Sequence, residues 1–525
     1  MAQIRKRGIG ISALILAVLT MASVLASFSV AGAAAKPAGK PTFGGSITVG
    51  GSVPASLDPG TTATTPSAAP YYSLVYGQLF RISPKGVITP DLATSYALNA
   101  AGTTATLQLR HGVHFSDGTP FNAAAVKFTI LRDQMGASTG TCPCAAFLTA
   151  VSSVTTKGSY TVQIHLSRRD ALLQDVLTES EVTYIISPTA YASEGASGFG
   201  LRPVGAGPYQ VSQYTPATTV TFSKWSGSYE HKTVYLSSIT FDTQSSDAAT
   251  LAGCESGTLA ICSFGTTSAA SSAQQAEADS NLVQEDSPAD SWAGLHFNVD
   301  APPFNNLLAR EAVAYATDGT AIAQVVSGNS KATCYPMGAA DEWWTAKCPS
   351  DVPTYNPAKA KALVQQLGGL SFNLSSIFNT PIYVTLATAL QQEYEAVGMK
   401  VSLSIVSHPA WIADQADGNY QVVGPCCGGG FLDPYLGLQQ YLSATGPANS
   451  FGYKSSQLNA LEVRVETAKG PAQQKSLWAQ YMDLDLQNVG LIGIIQGHTQ
   501  NFVERGLHGV VFDGFIVYYD HAWVS

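Results

Sequence analysis

Apolar and polar residues alternate along several short stretches of the chain. Ala105, Leu107 and Leu109 interleave with Thr106, Gln108 and Arg110; Val162, Ile164 and Leu166 with Thr161, Gln163 and His165; Val401, Leu403 and Ile405 with Lys400, Ser402 and Ser404. A period of two is the mark of a half-buried strand. Other stretches repeat every three to four residues. From Asn356 to Gly368, Ala360, Leu363, Val364 and Leu367 share one face; Asn356 can cap the start, Pro357 suits the first helical position and Gly368 a left-handed end. Asn122 opens a second helix carrying Val126, Ile130 and Leu131, and a third spans Thr385 to Val397 and stops at Gly398. Ser268 to Ala276, rich in Ser, Ala and Gln, reads as a solvated helix. Strands and helices alternate without segregating, so the class is mixed α/β. No fixed-period repeat and no long linker divides the chain, which implies domains that exchange strands through several crossings.

The N-terminus departs from this pattern. Arg5, Lys6 and Arg7 precede an apolar run from Ile9 to Leu25, and small residues follow through Ala33-Ala34-Ala35. This is the layout of a secretory signal over residues 1–35, cleaved after Ala35, with a Pro/Gly/Lys linker at 36–43. An uncleaved anchor is the alternative, because the run approaches the ~18 apolar residues of a spanning helix. No cysteine lies near the cleavage site for lipid attachment. The expected location is the periplasm or the cell surface.

Composition narrows the class. Hydrophobic residues make up 45% and charged residues 12% of 525, which places the chain among globular proteins. The net charge is −9, and the signal segment holds three of the 27 basic residues and none of the 36 acidic ones. A mature chain more acidic still excludes a nucleic-acid partner, which requires clustered Lys and Arg. Eight cysteines in an exported chain point to oxidation. Cys334 and Cys348 would close a 15-residue loop, worth about 3 kcal/mol by chain entropy, and Cys254 and Cys262 flank a turn at Glu255-Ser256-Gly257. Cys142-Pro143-Cys144 and Cys426-Cys427 are too close in sequence for unstrained bridges, and their pairing stays open. A four-thiolate zinc site from these two pairs is disfavoured in an oxidising compartment.

Motifs of catalysis are missing. The chain has no G-x-S-x-G elbow, no H-E-x-x-H, no phosphate loop and no complete G-x-G-x-x-G; Gly205-Ala206-Gly207 is followed by Pro208, which has no N–H to offer a phosphate. His111 and His114 sit around a turn without acidic or thiol ligands at motif spacing, and Asp58 and Asp433 each precede a proline and fit turns. No catalytic residue, metal or cofactor is assigned. A hydrolase whose triad is assembled only in space remains an alternative, since triads are defined by geometry.

Several segments, in order, resemble the dipeptide/oligopeptide/nickel class of ABC-transporter solute-binding proteins, family five. They are Leu57-Asp58-Pro59; Ile88-Thr89-Pro90-Asp91-Leu92-Ala93-Thr94-Ser95; the run from Leu109 to Asn122 reading LRHGVHFSDGTPFN; Gly205-Ala206-Gly207-Pro208-Tyr209; Phe297-Asn298 with Pro303-Phe304 and Arg310 to Asp318; and Tyr355 to Leu363. Most of these are turn and cap chemistry: Gly118 supplies an unusual backbone angle and Asn122 then starts a helix. The resemblance implies a two-lobed, periplasmic-binding-protein-like hinge fold (type II, cluster C). Lobe I would comprise residues 44–290, with an extra subdomain at about 76–200. Lobe II would be 291–498, with a C-terminal return, 499–525, to lobe I. The implied function is that of a monomer capturing a small ligand, peptide as first expectation with oligosaccharide or metal chelate behind it, and delivering it to ABC permease subunits. A transporter-independent sensor or chaperone is the other possibility.

The resemblance also implies where the ligand would sit. Asp417 to Pro434 aligns with the family segment whose Trp and Asp face a dipeptide, the Asp holding the α-amino group by a charge-assisted hydrogen bond. Cys427 stands at the Trp position, Gly430 at the Asp position, and Asp433 keeps the following Asp-Pro. A larger or less charged ligand follows, with Gly428-Gly429-Gly430 adding room. Tyr71 and Trp292 are further ligand candidates as aromatic residues near the cleft; Tyr72 neighbours the first, and Trp411 reads as structural.

Overall fold

The structure, a computed structural model, describes residues 39–60, 68–83, 86–139, 142–265, 267–326, 330–335, 348–376, 381–407, 410, 414, 417–429, 436, 455–513 and 516–525. The signal segment, Trp411, Gly430 and Asp433 fall outside them. No described helix is long and apolar enough to cross a membrane.

In chain order, the first elements are β1 (Ser46–Gly51), α1 (Ala69–Tyr76), β2 (Ala93–Leu98), β3 (Thr104–Leu109), α2 (Ala123–Thr139), β4 (Val151–Thr156) and β5 (Thr161–Leu166). Next come β6 (Tyr209–Thr215), β7 (Thr219–Lys224), β8 (Ser238–Thr243), α3 (Asp247–Glu255), β9 (Ile261–Phe264), α4 (Ala270–Ala278) and β10 (Leu282–Phe297). The chain continues through α5 (Leu307–Ala316), α6 (Pro357–Gln366), β11 (Ser371–Ser376), α7 (Pro381–Ala396), β12 (Lys400–Ile405) and β13 (Val422–Gly429). It ends with α8 (Ser456–Glu466), α9 (Pro471–Asn488) and β14 (Leu491–Glu504), followed by short strands.

The three strands and the two capped helices expected from periodicity are all present. Asn122 Oδ1 accepts from the N–H of Ala124 at 2.9 Å, and Asn356 Oδ1 from that of Lys359 at 3.0 Å. Each cap satisfies a donor that the first helical turn leaves orphaned. Helix α7 starts four residues before the expected Thr385, with Pro381 in its first turn and Leu386, Leu390 and Tyr394 buried on one face. Helix α4 is not the fully solvated helix its composition suggests. Ser272, Ala273 and Ala276 are buried, and the two alanines join a cluster with Leu251, Phe264 and Phe502, because small side chains let the helix lie close to its neighbours.

A long sheet runs in the order β12-β11-β13-β10-β14-β9-β1-β8-β7-β6. Two cores lie along it. One gathers Tyr71, Tyr72, Val75 and Tyr76 of α1 with Ile239 and Phe241 of β8 and Phe222 of β7. The other gathers Ala293, Leu295 and Phe297 of β10 with apolar faces of α5, α6 and α7. A separate four-stranded sheet, β2-β3-β5-β4, packs on α2, and its core continues to Trp478, Tyr481 and Leu486 of α9.

Buried charge holds the smaller sheet in place. Arg81 reaches Asp91 at 3.1 Å, Glu230 at 2.8 Å and Asp520 at 2.7 Å, tying the segment before β2 to the chain after β7 and to the C-terminal segment. Arg132 pairs with Asp58 at 2.9 Å and Asp133 at 2.7 Å, so the turn aspartate Asp58 serves as an anchor for α2. Gly205 and Gly207 run against the last turn of α1, where a Cβ on Gly205 would meet the carbonyl of Val75 and one on Gly207 those of Leu74 and Val75. That close approach explains the glycines of the turn before β6. The sulfurs of Cys254 and Cys262, and of Cys334 and Cys348, are joined with Cα atoms 6.2 and 6.0 Å apart. Cys142 and Cys144, whose pairing the sequence leaves open, are joined to each other.

Candidate ligand-binding cleft

Strands β10 and β14 connect the two core regions. Leu282–Asp286 of β10 pairs with Gln500–Glu504, while Asp290–His296 pairs with Leu491–His498; the register shifts between Asp286 and Asp290. On one side of the shift β14 pairs with β9, through Gln500–Val503; on the other β10 pairs with β13, through Ser291–Phe297. Among the described residues the chain thus passes between the two halves along two adjacent strands, fewer than the several crossings suggested by its sequence. His498 Nε2 lies 3.1 Å from Asp286 Oδ2, across the slip. Two strands with a break in pairing at the same level are the means by which halves of a sheet can rotate against one another.

A cavity of about 530 Å³ opens beside this connection. Its floor is formed where β1, β8 and β9 end. These strands run parallel, β1 pairing with both β8 and β9. The carboxyl ends of parallel strands are the usual ligand position in open α/β sheets. Gly50, Gly51 and Ser52 follow from β1, Gln244 to Asp247 from β8 into α3, and Thr267 to Ser272 lead into α4. The opposite wall comes from the other half: Pro381, Ile382 and Tyr383 in the first turn of α7. The hydroxyls of Thr267 and Tyr383 are 2.8 Å apart, so the two walls meet at the rim. Asp247 is committed to the local fold, accepting from the N–H of Ala269 at 2.7 Å and the hydroxyl of Ser268 at 3.3 Å. Among the described residues its lining holds no histidine or cysteine.

The residues anticipated from sequence are distributed differently. Tyr71 is 3% exposed, lies in the core against Phe241 with ring centres 4.6 Å apart, and its hydroxyl donates to the carbonyl of Ser52 at 3.0 Å. It supports the cavity floor from behind. Burial and the nearby Tyr214 push its phenol above the ordinary range, which keeps it a neutral donor. Trp292 is 2% exposed and belongs to the buried cluster that includes Trp478, Tyr481 and Tyr335, its ring centre 5.8 Å from that of His296. His296 is pushed down to about 3 by burial and is neutral. Cys427 lies in β13 opposite Ala293, and Gly430 and Asp433 are outside the described residues. His111 stacks on Tyr160 at 3.9 Å. The described acidic, histidine and cysteine residues give one group close enough to converge on an ion, Asp133 with Cys142 and Cys144; there the two sulfurs are bonded to each other and Asp133 to Arg132.

Sequence reasoning did not single out Ser52, Gln244 to Asp247, Thr267 or Tyr383. The available signal was a cluster of hydroxyls and amides just after strands, at Gln244-Ser245-Ser246 and Thr267-Ser268.

Comparison with known proteins fits this geometry. The sequence model described as bacterial extracellular solute-binding proteins, family 5 Middle, matches residues 87–449. The glutathione-binding protein GsiB of Shigella flexneri is 28% identical over 353 residues, covering 66% of this chain and 67% of GsiB. The periplasmic binding protein DppA of Helicobacter pylori, solved with the peptide STSA, superposes with a TM-score of 0.81 at 18% identity, covering 92% of this chain and 98% of DppA. The binding protein MoaA of A. tumefacien R10, solved with mannopinic acid, gives a TM-score of 0.80 at 23% identity, covering 92% and 100%. At these identities the solved structures establish a shared two-lobed fold.

Proposed function

The chain belongs to the family 5 bacterial extracellular solute-binding proteins, and from that premise we propose that it captures a small solute in the cavity between its two halves and presents it to the permease of an ABC importer. The observation that carries this reading is the cavity itself, walled by β1, β8 and β9 on one side and by α7 on the other. A solute that touches both walls binds the closed arrangement better than the open one and shifts the population towards it by that difference in affinity. The permease then has a closed shape to recognise, and no covalent chemistry is asked of this chain.

The lobe boundaries proposed are 44–290, with an insertion at about 76–200, and 291–498, with a return over 499–525. The change of strand partners between Asp286 and Asp290 and between His498 and Gln500 supports them. Export through residues 1–35 and a monomeric working form belong to the same proposal. A peptide is the first ligand suggested by GsiB and DppA. Gly430 in place of an amine-holding carboxylate argues against an ordinary dipeptide anchored by its N-terminus.

The test is small-angle X-ray scattering on the chain as isolated and after its solute is stripped by partial unfolding and refolding. The stripped form is expected to show a larger radius of gyration, reversed by adding back the stripped extract. An identical radius in all three samples would oppose closure around a solute.

A further inference from the structure

The two halves also touch away from the strand crossing and away from the cavity. A loop of the inserted subdomain, Ser167 to Leu172, follows β5 and meets the C-terminal end of α8. Arg168 donates from Nε at 2.9 Å and from Nη2 at 2.6 Å to Oε2 of Glu466. Arg169 Nε donates to the carbonyl of Ala468 at 3.0 Å, and the backbone N–H of Ala171 to that of Glu466 at 2.7 Å. The last carbonyls of a helix lack partners within it and carry the negative end of its dipole, so two arginines and a backbone donor are matched to them.

Each side of this contact is tied to its own half. The loop is held to the small sheet, where the N–H of Ser167 donates to the carbonyl of Ala150 at 2.8 Å. Asp170 Oδ1 fixes its bend by accepting from the N–H of Leu172 at 2.9 Å. Helix α8 leads into α9, and the far end of α9 is bound to α5: Arg310 Nε donates to the carbonyls of Asn488 and Val489, both at 3.1 Å. Leu172 and Leu173 share one buried cluster with Leu458, Val465 and Ala468, so the inner side of the contact is apolar.

A rotation about β10 and β14 leaves the hinge strands paired but separates contacts that lie off the axis. Thr267 with Tyr383 at the cavity rim is one such contact, and the loop with α8 is another. Giving up the second costs charge-assisted hydrogen bonds to a Glu466 side chain that is only 7% exposed. That cost is felt when the cleft opens, although these residues lie outside the cavity lining.

We infer that Arg168, Arg169 and Glu466 form a clasp between the two halves, which holds the closed arrangement and slows release of the solute. The inference rests on the solute-capture reading and the lobe boundaries above, and adds to them the contact that sets the lifetime of the closed form.

The test combines small-angle scattering with deuterium exchange on the full mature chain, as isolated and after stripping. The Ala171 amide, read at single-residue level, is expected to exchange about tenfold faster in the stripped chain, while amides of β3 and β5 keep their rates. Arg168→Gln combined with Arg169→Gln is expected to bring the radius of gyration of the isolated chain to the stripped wild-type value, and Arg168→Lys with Arg169→Lys to restore the compact one. If the glutamine variant also loses protection in β3 and β5, it has not folded, and the wild-type exchange at Ala171 alone decides. A radius that grows on stripping with no change at Ala171 overturns the clasp and leaves capture intact, because loop and helix then move as one body. A folded glutamine variant as compact as the wild type overturns it too. A wild-type radius unchanged by stripping is the failure of the capture reading itself, and the clasp falls with it.

Discussion

Arg81 carries more of the fold than any sequence motif announces. Its guanidinium contacts Asp91, Glu230 and Asp520 together, and these acidic groups hold it protonated despite burial, while burial pushes Glu230 up to about 8. Arg81→Met is expected to destabilise the chain by about 3–5 kcal/mol, since it removes the cation from a buried group of three acidic side chains; guanidinium unfolding measures this directly. Asp485 on α9 is the opposite case: fully buried, with no hydrogen-bond partner for either carboxylate oxygen, and pushed up to about 8 by desolvation. Its folded form prefers the proton. Stability contributed by this group is complete below the ordinary carboxylate range near 4 and falls as pH rises towards 8. Asp485→Asn should therefore raise the melting temperature far more at pH 8 than at pH 5; an equal gain at both would assign the effect to packing. At this scale the sequence was a poor guide. Tyr71 and Trp292 are aromatic residues near the cleft in sequence order, but the face on which each points depends on strands and helices that pack against them from elsewhere.

Local structure was far more legible. The caps at Asn122 and Asn356 and the alternation at 104–109, 161–166 and 400–405 predicted their elements because those signals act over a few residues. The exception is β10, the longest strand, which contains Gln284-Glu285-Asp286-Ser287-Pro288. A polar run with a proline reads as a loop; it is tolerated here because Pro288, lacking an N–H for the ladder, lies within the register shift. Gly207→Ala is expected to destabilise by displacing the last turn of α1, whose backbone it would strike, and the loss should appear as a lowered denaturation midpoint. Replacing Cys334 and Cys348 by serine together removes a 15-residue loop closure and should cost about 3 kcal/mol in the same measurement.

For the whole molecule, the two-lobed architecture was legible through the order of its turn and cap motifs, which fix a topology even when few other residues are shared. The cleft was not, because its walls come from residues 50–52, 244–248, 250, 263, 267–269, 271–272 and 381–383, brought together by the long sheet and by the paired crossing of β10 and β14. Serines and threonines carry no spacing rule that would have revealed this convergence. The central claim is that this cleft holds a solute. Native mass spectrometry of the chain isolated gently from the cells that make it tests that claim most directly. The account predicts a species heavier than the mature chain by one small molecule, on the order of a few hundred daltons, which is lost on activation. Isolation of the bare chain alone, with no bound small molecule at any concentration, would contradict it.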